Sequence, residues 1–235
     1  MPSRATDPLP VRWHPSPNFG ARRGGLVPDL VVLHYTAMAT MEAALARLCD
    51  PAFEVSAHYL IGANGDTVQM VREDDRAWHA GAGAWRGRGD VNSRSIGIEL
   101  DNDGRSPFPE RQMVALERLL GDIMARRAIA PAGLIGHSDM APGRKIDPGA
   151  RFDWRRLALQ GLAIWPGASA GAADGDRLHD DLCAAGYPAD VDPDTVLAAF
   201  RLRFRPWAHG PADATDRALA HAVARMAVDP ARATA

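Results

Sequence analysis

The sequence predicts an α/β fold: a mixed central β-sheet covered by helices, followed by a small C-terminal three-helix domain. Three observations carry this. Short β-branched or apolar runs, at 30–33 (LVVL) and 96–98 (IGI), are interspersed with segments of helical periodicity, which is the pattern of a sheet covered by helices. Asn64-Gly65 stands between two alternating runs, a strong hairpin signal. After a stretch of small residues at 166–175 (PGASAGAADG), the periodicity is helical to the end of the chain.

In chain order, the opening MPSRATDPLPVRWHPSPNFG is proline-rich and has no apolar central region, so it reads as neither a secretory signal nor a lipoprotein anchor. It is expected to run extended over the domain. Taken at face value it places the protein in the cytoplasm; a truncated start would make the periplasm or cell envelope the alternative. A strand over 30–35, a helix over 40–49, a hairpin across 57–71 and a strand over 95–101 follow. Residues 109–128 put Met113, Leu116, Leu120 and Ile123 on one helical face. A strand at 134–136 and a short helix near 153–160 complete a first domain over 1–165. The linker at 166–175 leads to a helical domain at 176–235. Leu178 and Leu182 mark its first helix, Val196, Phe200 and Phe204 its second, and Leu219, Val223 and Met226 its third.

Composition excludes several classes. The 235 residues are 46% hydrophobic, enough for one sizeable core, and the net charge of -2 gives no electrostatic footprint for nucleic acid. No apolar run approaches the ~18 residues of a membrane span. Cys49 and Cys183 show no paired spacing, so free thiols are expected and a disulfide framework is excluded. The chain reads as a monomer.

The chemistry concentrates in a few residues. His34 ends the run Leu30 to Leu33, and His137 follows Leu134-Ile135-Gly136, so both stand at strand ends, where side chains are firmly aimed. Asp147 lies ten positions after His137, followed by the turn signal Pro148-Gly149. Two imidazoles and a carboxylate match the ligand count of a hydrolytic zinc, which keeps three protein ligands and an open fourth position. Spacing alone leaves the ligand reading and a purely structural role for each histidine open.

Five segments, LHYT, SAHYLIGANGDTVQMV, RAWHAG, NSRSIGIELDN and GHSDMAPGRKIDPG, occur in this order and cover roughly residues 10 to 160. They resemble the zinc-dependent N-acetylmuramoyl-L-alanine amidases of the AmpD and AmiD type, relatives of phage T7 lysozyme and the peptidoglycan recognition proteins. The resemblance implies the fold of that superfamily and one zinc per chain on His34, His137 and Asp147. It also implies a catalytic acid on Glu99 and a catalytic lysine on Lys145, with peptidoglycan or a muropeptide as the substrate. Glu99 ends the apolar strand Ile96 to Ile98 and is suited to proton transfer, and Lys145 supplies a fixed cation for an oxyanion. The phage and recognition-protein branch uses a tyrosine where this chain has Ala57, so Glu99 takes that role. Tyr59 and His58 then read as packing residues behind the site.

Substrate contacts are expected from Arg144, which is suited to bidentate pairing with carboxylates, and from His79 and Trp85 in the long glycine-rich loop RAWHAGAGAWRGRGD. Trp85 would stack on a sugar or wall the cleft, while Trp78 reads equally well as core. The C-terminal helices resemble a three-helix peptidoglycan-binding domain, with Arg201 where that module carries glutamine. A binding module without activity would have lost a metal ligand, and all three are present. A metallopeptidase of the HExxH type is excluded by the absence of that signature.

Overall fold

The computed structural model describes residues 10–167 and 177–228; most of the expected linker lies outside them. Strands β1 (Val11–Trp13) and β2 (Phe19–Ala21) precede β3 (Leu30–Tyr35). Helix α1 (Met41–Cys49) leads to the hairpin of β4 (Tyr59–Ile61) and β5 (Thr67–Gln69). Then come β6 (Asp75–Ala77), α2 (Val91–Arg94), β7 (Ser95–Leu100) and α3 (Glu110–Arg127). Strand β8 (Leu134–Gly136) runs directly into α4 (His137–Met140), followed by α5 (Trp154–Leu159). The last helices are α6 (Leu178–Ala185), α7 (Pro193–Phe204) and α8 (Ala214–Val228).

Six strands form one sheet in the order β1-β5-β4-β7-β3-β8, with β4 and β5 antiparallel and the other pairs parallel, so the sheet is mixed as expected. The central strands are buried on both faces, which is why they read as continuous apolar runs. Local signals set several helix starts. The Thr40 hydroxyl accepts from the Ala43 N–H at the head of α1, and Asp192 caps α7 ahead of Pro193 at its first position.

The two faces of the sheet are covered differently, and that difference makes the site. One face carries Val31, Leu33, Ile96, Ile98 and Leu100 and is packed by Met113, Leu116, Leu120 and Ile123 of α3 with Trp154 and Leu157 of α5. Each fully buried side chain of this size contributes roughly 1.5–3 kcal/mol. The opposite face is divided. On its β4–β5 side, Leu60 and Val68 lie under Ala44 and Leu48 of α1. On its β3–β8 side, Leu30, Val32 and Ile135 join Leu182, Phe200, Phe204 and Val223 from the C-terminal helices. Between these two patches β7 presents Ser95, Gly97 and Glu99, the alternate set to its apolar residues.

The three C-terminal helices form as expected, and among the described residues their buried side chains belong to one cluster with the sheet and with Trp85 and Met140. A buried ion pair ties them to α4: Arg203 Nη1 lies 3.1 Å from Asp139 Oδ2, with the two side chains 3% and 1% exposed. Asp139 also accepts from the Tyr187 hydroxyl at 2.7 Å and from the Gly136 N–H at 2.8 Å. The Arg203 guanidinium stacks on Trp154 at 4.1 Å. Arg201, at the position where a wall-binding module would carry glutamine, is held by Asp216 and by the carbonyls of Gly210 and Pro211. Both cysteines are free, and among the described residues no helix is long and apolar enough to cross a membrane.

Candidate metal centre

His34 projects from β3 on the same face as Leu30 and Val32, one step beyond the cover of the C-terminal helices. In the parallel pairing of β3 with β7 it stands opposite Glu99. His137 is the first residue of α4, immediately after β8, so β8 and α4 together set its direction. The Asp147 carbonyl accepts from the Ser138 N–H at 3.0 Å, fixing the 141–149 loop against the start of α4.

These three side chains converge. His34 Nδ1 lies 2.9 Å from His137 Nδ1 and 2.9 Å from Asp147 Oδ2, and His137 Nδ1 lies 3.0 Å from the same oxygen. They are a group of buried potential ligands whose donor atoms all lie within 4.8 Å of one another. Ligand bonds of about 2.0–2.1 Å in a tetrahedron would put ligand atoms roughly 3.3 Å apart, so the triangle is close to the spacing zinc needs. The donor chemistry agrees, with two imidazoles, one carboxylate and nothing softer. The outer ring nitrogens are engaged as well: His137 Nε2 donates to the Ala80 carbonyl at 2.9 Å, and His34 Nε2 faces His79 Nδ1 at 2.9 Å.

The electrostatics follow from burial. Burial and the neighbouring His137 lower the His34 pKa to about 4, so the ring is neutral near pH 7 and has a lone pair to offer. For Asp147, burial alone would raise the carboxyl, but the His137 and His34 rings close against it outweigh that and hold the group well below the usual range. Glu99 goes the other way. Burial, reinforced by the charge of Asp147 and only partly offset by Lys145, pushes it up to about 8. Its Oε2 is buried and has no hydrogen-bond partner, and the residue lines the same cleft as His34, His137 and Asp147.

The site opens into a cleft of about 570 Å³, within the range of small-molecule sites. Besides His34, His137 and Asp147 its walls include Tyr35, Trp78, Glu99, Arg144, Lys145 and Ile146. The cleft therefore brings together His34, His137, Asp147, Glu99, Lys145 and Arg144. Arg144 is partly committed, because its guanidinium donates to the Ala80 carbonyl at 2.6 Å and to the Ala82 carbonyl. Trp78, for which core packing was equally expected, lines the cleft.

Trp85 does not reach the cleft. It is 4% exposed, its ring lies edge-on to Tyr187 at 5.2 Å, and it packs so closely on Gly186 that a Cβ there would come within 2.6 Å of it. His79 borders the cleft, yet both its ring nitrogens are taken by protein groups, Nδ1 by His34 and Nε2 by Ser95 Oγ at 3.0 Å. It leaves no free polar ring atom for a substrate. Ser95 and Gly97 escaped the sequence reading altogether. The alternation of small and polar residues Ser95, Gly97 and Glu99 along one strand face was the available signal.

Residues 24–150 match the family described as N-acetylmuramoyl-L-alanine amidase. The chain is 41% identical over 229 residues to the N-acetylmuramoyl-L-alanine amidase AmiD of Escherichia coli (strain K12), a match covering 83% of this chain and 81% of that protein. It is 36% identical over 159 residues to the 1,6-anhydro-N-acetylmuramyl-L-alanine amidase AmpD of Haemophilus influenzae, covering 60% of this chain and 86% of that one. Among solved structures, the complex of Escherichia coli AmiD with anhydro-N-acetylmuramic acid-L-Ala-D-gamma-Glu-L-Lys superposes with a TM-score of 0.76 at 37% identity, covering 86% of this chain and 91% of that one.

Proposed function

Since the chain belongs to the N-acetylmuramoyl-L-alanine amidase family, we propose that it hydrolyses the amide between the lactyl group of N-acetylmuramic acid, or its 1,6-anhydro form, and L-alanine, using one zinc held by His34, His137 and Asp147. The observation that carries this reading is the clustering of the three donor atoms, within 4.8 Å of one another, in a cleft that Glu99 also lines. The anhydro-muropeptide carried by the AmiD complex supports the substrate class, and polymeric peptidoglycan and soluble muropeptides both belong to it. Turnover or recycling of cell-wall material is the process such a reaction serves.

When bound, the zinc supplies Lewis acidity for the scissile carbonyl and for the water nucleophile. The residues around it divide the remaining work. In its ionised form Glu99 takes a proton from the attacking water and returns it to the alanine nitrogen as the C–N bond breaks, and a pKa raised to about 8 suits the group to both transfers. The products are a lactyl carboxylate and a peptide with a free α-amine. Lys145 Nζ, on the cleft wall, stabilises the negative charge that builds on the carbonyl oxygen. Arg144 keeps guanidinium nitrogens available for the carboxylates of the stem peptide while its Nη2 stays on the Ala80 and Ala82 carbonyls.

Mass spectrometry of the products from anhydro-muropeptides and from sacculi tests the reading, with release of L-alanine-headed peptide expected. Glu99→Ala and Lys145→Ala are expected to retain zinc yet lose roughly 10²-fold or more in kcat. Cleavage at any other bond, or full activity of His137→Ala, would overturn the assignment.

A further inference from the structure

We propose that His79 and Ser95 are positioning residues: they hold His34 in the tautomer that leaves Nδ1 bare for zinc, through a one-way hydrogen-bond chain ending on a backbone carbonyl. This rests on the reading of His34, His137 and Asp147 as the zinc ligands.

The direction of the chain follows from what each atom is able to do. Ser95 Oγ lies 2.6 Å from the Val91 carbonyl, and a carbonyl only accepts, so the serine proton is committed there. Toward His79 Nε2, at 3.0 Å, the serine oxygen offers only a lone pair, so Nε2 carries the proton. Both ring nitrogens of His79 are paired with neutral groups and neither with a carboxylate, so the N–H toward Ser95 is the one that its partners call for. The His79 Nδ1 is therefore an acceptor. It faces His34 Nε2 at 2.9 Å, which places the His34 proton on Nε2 and leaves His34 Nδ1 bare.

The chain has something to oppose. Asp147 Oδ2 sits 2.9 Å from His34 Nδ1, and a carboxylate there draws the ring proton to the nitrogen that has to bind the metal. His137 needs no relay, because its Nε2 donates directly to the Ala80 carbonyl. His34 stands beside β7, and there the His79 imidazole and the Ser95 hydroxyl link it to the Val91 carbonyl. Gly97 makes the bridge possible: a Cβ at that position would come within 2.5 Å of the His79 ring. The loop bearing His79 is pinned by Asn92, whose Oδ1 accepts from the His79 N–H at 3.0 Å and the Ala80 N–H at 2.8 Å.

The test reads zinc affinity and tautomers on the full chain. Zinc dissociation constants would come from competition with a chromogenic chelator, and ring protonation from long-range ¹H–¹⁵N spectra of the zinc-loaded protein. In the wild type, His79 is expected to be protonated at Nε2 and bare at Nδ1. Ser95→Ala frees His79 to take the opposite tautomer, setting donor against donor at His34, and zinc affinity is expected to fall on the order of 10-fold. His79→Phe keeps a flat ring but removes the acceptor, and a loss of roughly 10–100-fold is expected. His79→Asn puts an amide oxygen near the Nδ1 position and is expected to stay close to wild type. A purely structural role would not separate the Asn and Phe variants in this way. Wild-type zinc affinity in His79→Phe, or an Nδ1-protonated His79 in the loaded wild type, would overturn the proposal; the wild-type spectrum decides even if a variant fails to fold. No arm measures hydrolysis, so a chain that binds zinc as described but cleaves no muropeptide would end the functional reading and leave this one standing.

Discussion

Glu99 behaves in the fold very differently from a carboxyl in water. Its folded pKa of about 8, against an ordinary 4.5, means that the fold favours the neutral acid, first because the side chain is buried and then because Asp147 is near. The folded chain therefore binds more protons here than the unfolded chain between pH 4.5 and 8. The corresponding stability is complete below about 4.5 and is lost as the pH rises through 8. His34 has the opposite sign. Its pKa is depressed to about 4, so its contribution grows as the pH rises from about 4 to 6.5 and is complete above that. Between pH 6.5 and 8 the slope belongs to Glu99. Thermal denaturation of chelator-treated protein is expected to show stability falling over this window, by at most about 1.4 kcal/mol per pH unit. Glu99→Gln, neutral at every pH, is expected to flatten the curve. An unchanged slope in that variant would mean that the carboxyl is already ionised in the fold.

At the level of elements, α7 is fastened to α4, and so to His137, through Arg203 and Asp139. Removing one partner of a buried pair strands the other, at a cost of about 3–5 kcal/mol, whereas replacing both with groups of similar volume is often neutral. Arg203→Met is therefore expected to destabilise strongly in urea titrations, and Arg203→Met with Asp139→Leu to recover much of the loss. Equal destabilisation by the single and double variants would show that the pair does not act as a unit. Neither partner was legible in the sequence, because Asp139 and Arg203 meet only once β8, α4 and α7 are assembled. The elements that were legible are those marked by an apolar run, a turn signal or a helical period: β3, β7, β8, the β4–β5 hairpin, α1, α3, α5 and the three C-terminal helices. Strands β1, β2 and β6 have three residues each and no fully buried face, and they exist because a partner strand pairs with them. The candidate site divides in the same way. His34, Glu99, His137, Lys145 and Asp147 stand in contiguous motifs at strand ends or in one loop. The position of Trp85 is decided by Tyr187 and Gly186 in the second half of the chain, and the link from Ser95 to His34 depends on neighbours across strands.

For the whole molecule, the sharing of one core between the sheet and the C-terminal helices decides what a shortened chain would do. A tethered wall-binding module raises the local concentration of an enzyme on a polymer and leaves its action on a small soluble substrate untouched. That outcome requires each part to fold alone, and here Leu30, Val32, Ile135, Trp85 and Met140 are covered by side chains from α6, α7 and α8. The loop that carries His79 depends on them too, since the Arg86 N–H donates to the Gly186 carbonyl at 2.8 Å and the Arg86 side chain reaches the Ala227 carbonyl. A chain ending at Gly167 would expose that face and leave Asp139 buried without its cation. It is expected to lose the cooperative unfolding transition, bind zinc poorly and fail on soluble muropeptides and sacculi alike. Near-normal turnover of soluble muropeptide by the shortened chain, with loss confined to sedimentation on sacculi, would instead assign the helices to wall binding. In that case the packing of Leu182, Phe200 and Val223 against the sheet would be a docking contact that the catalytic fold does not require.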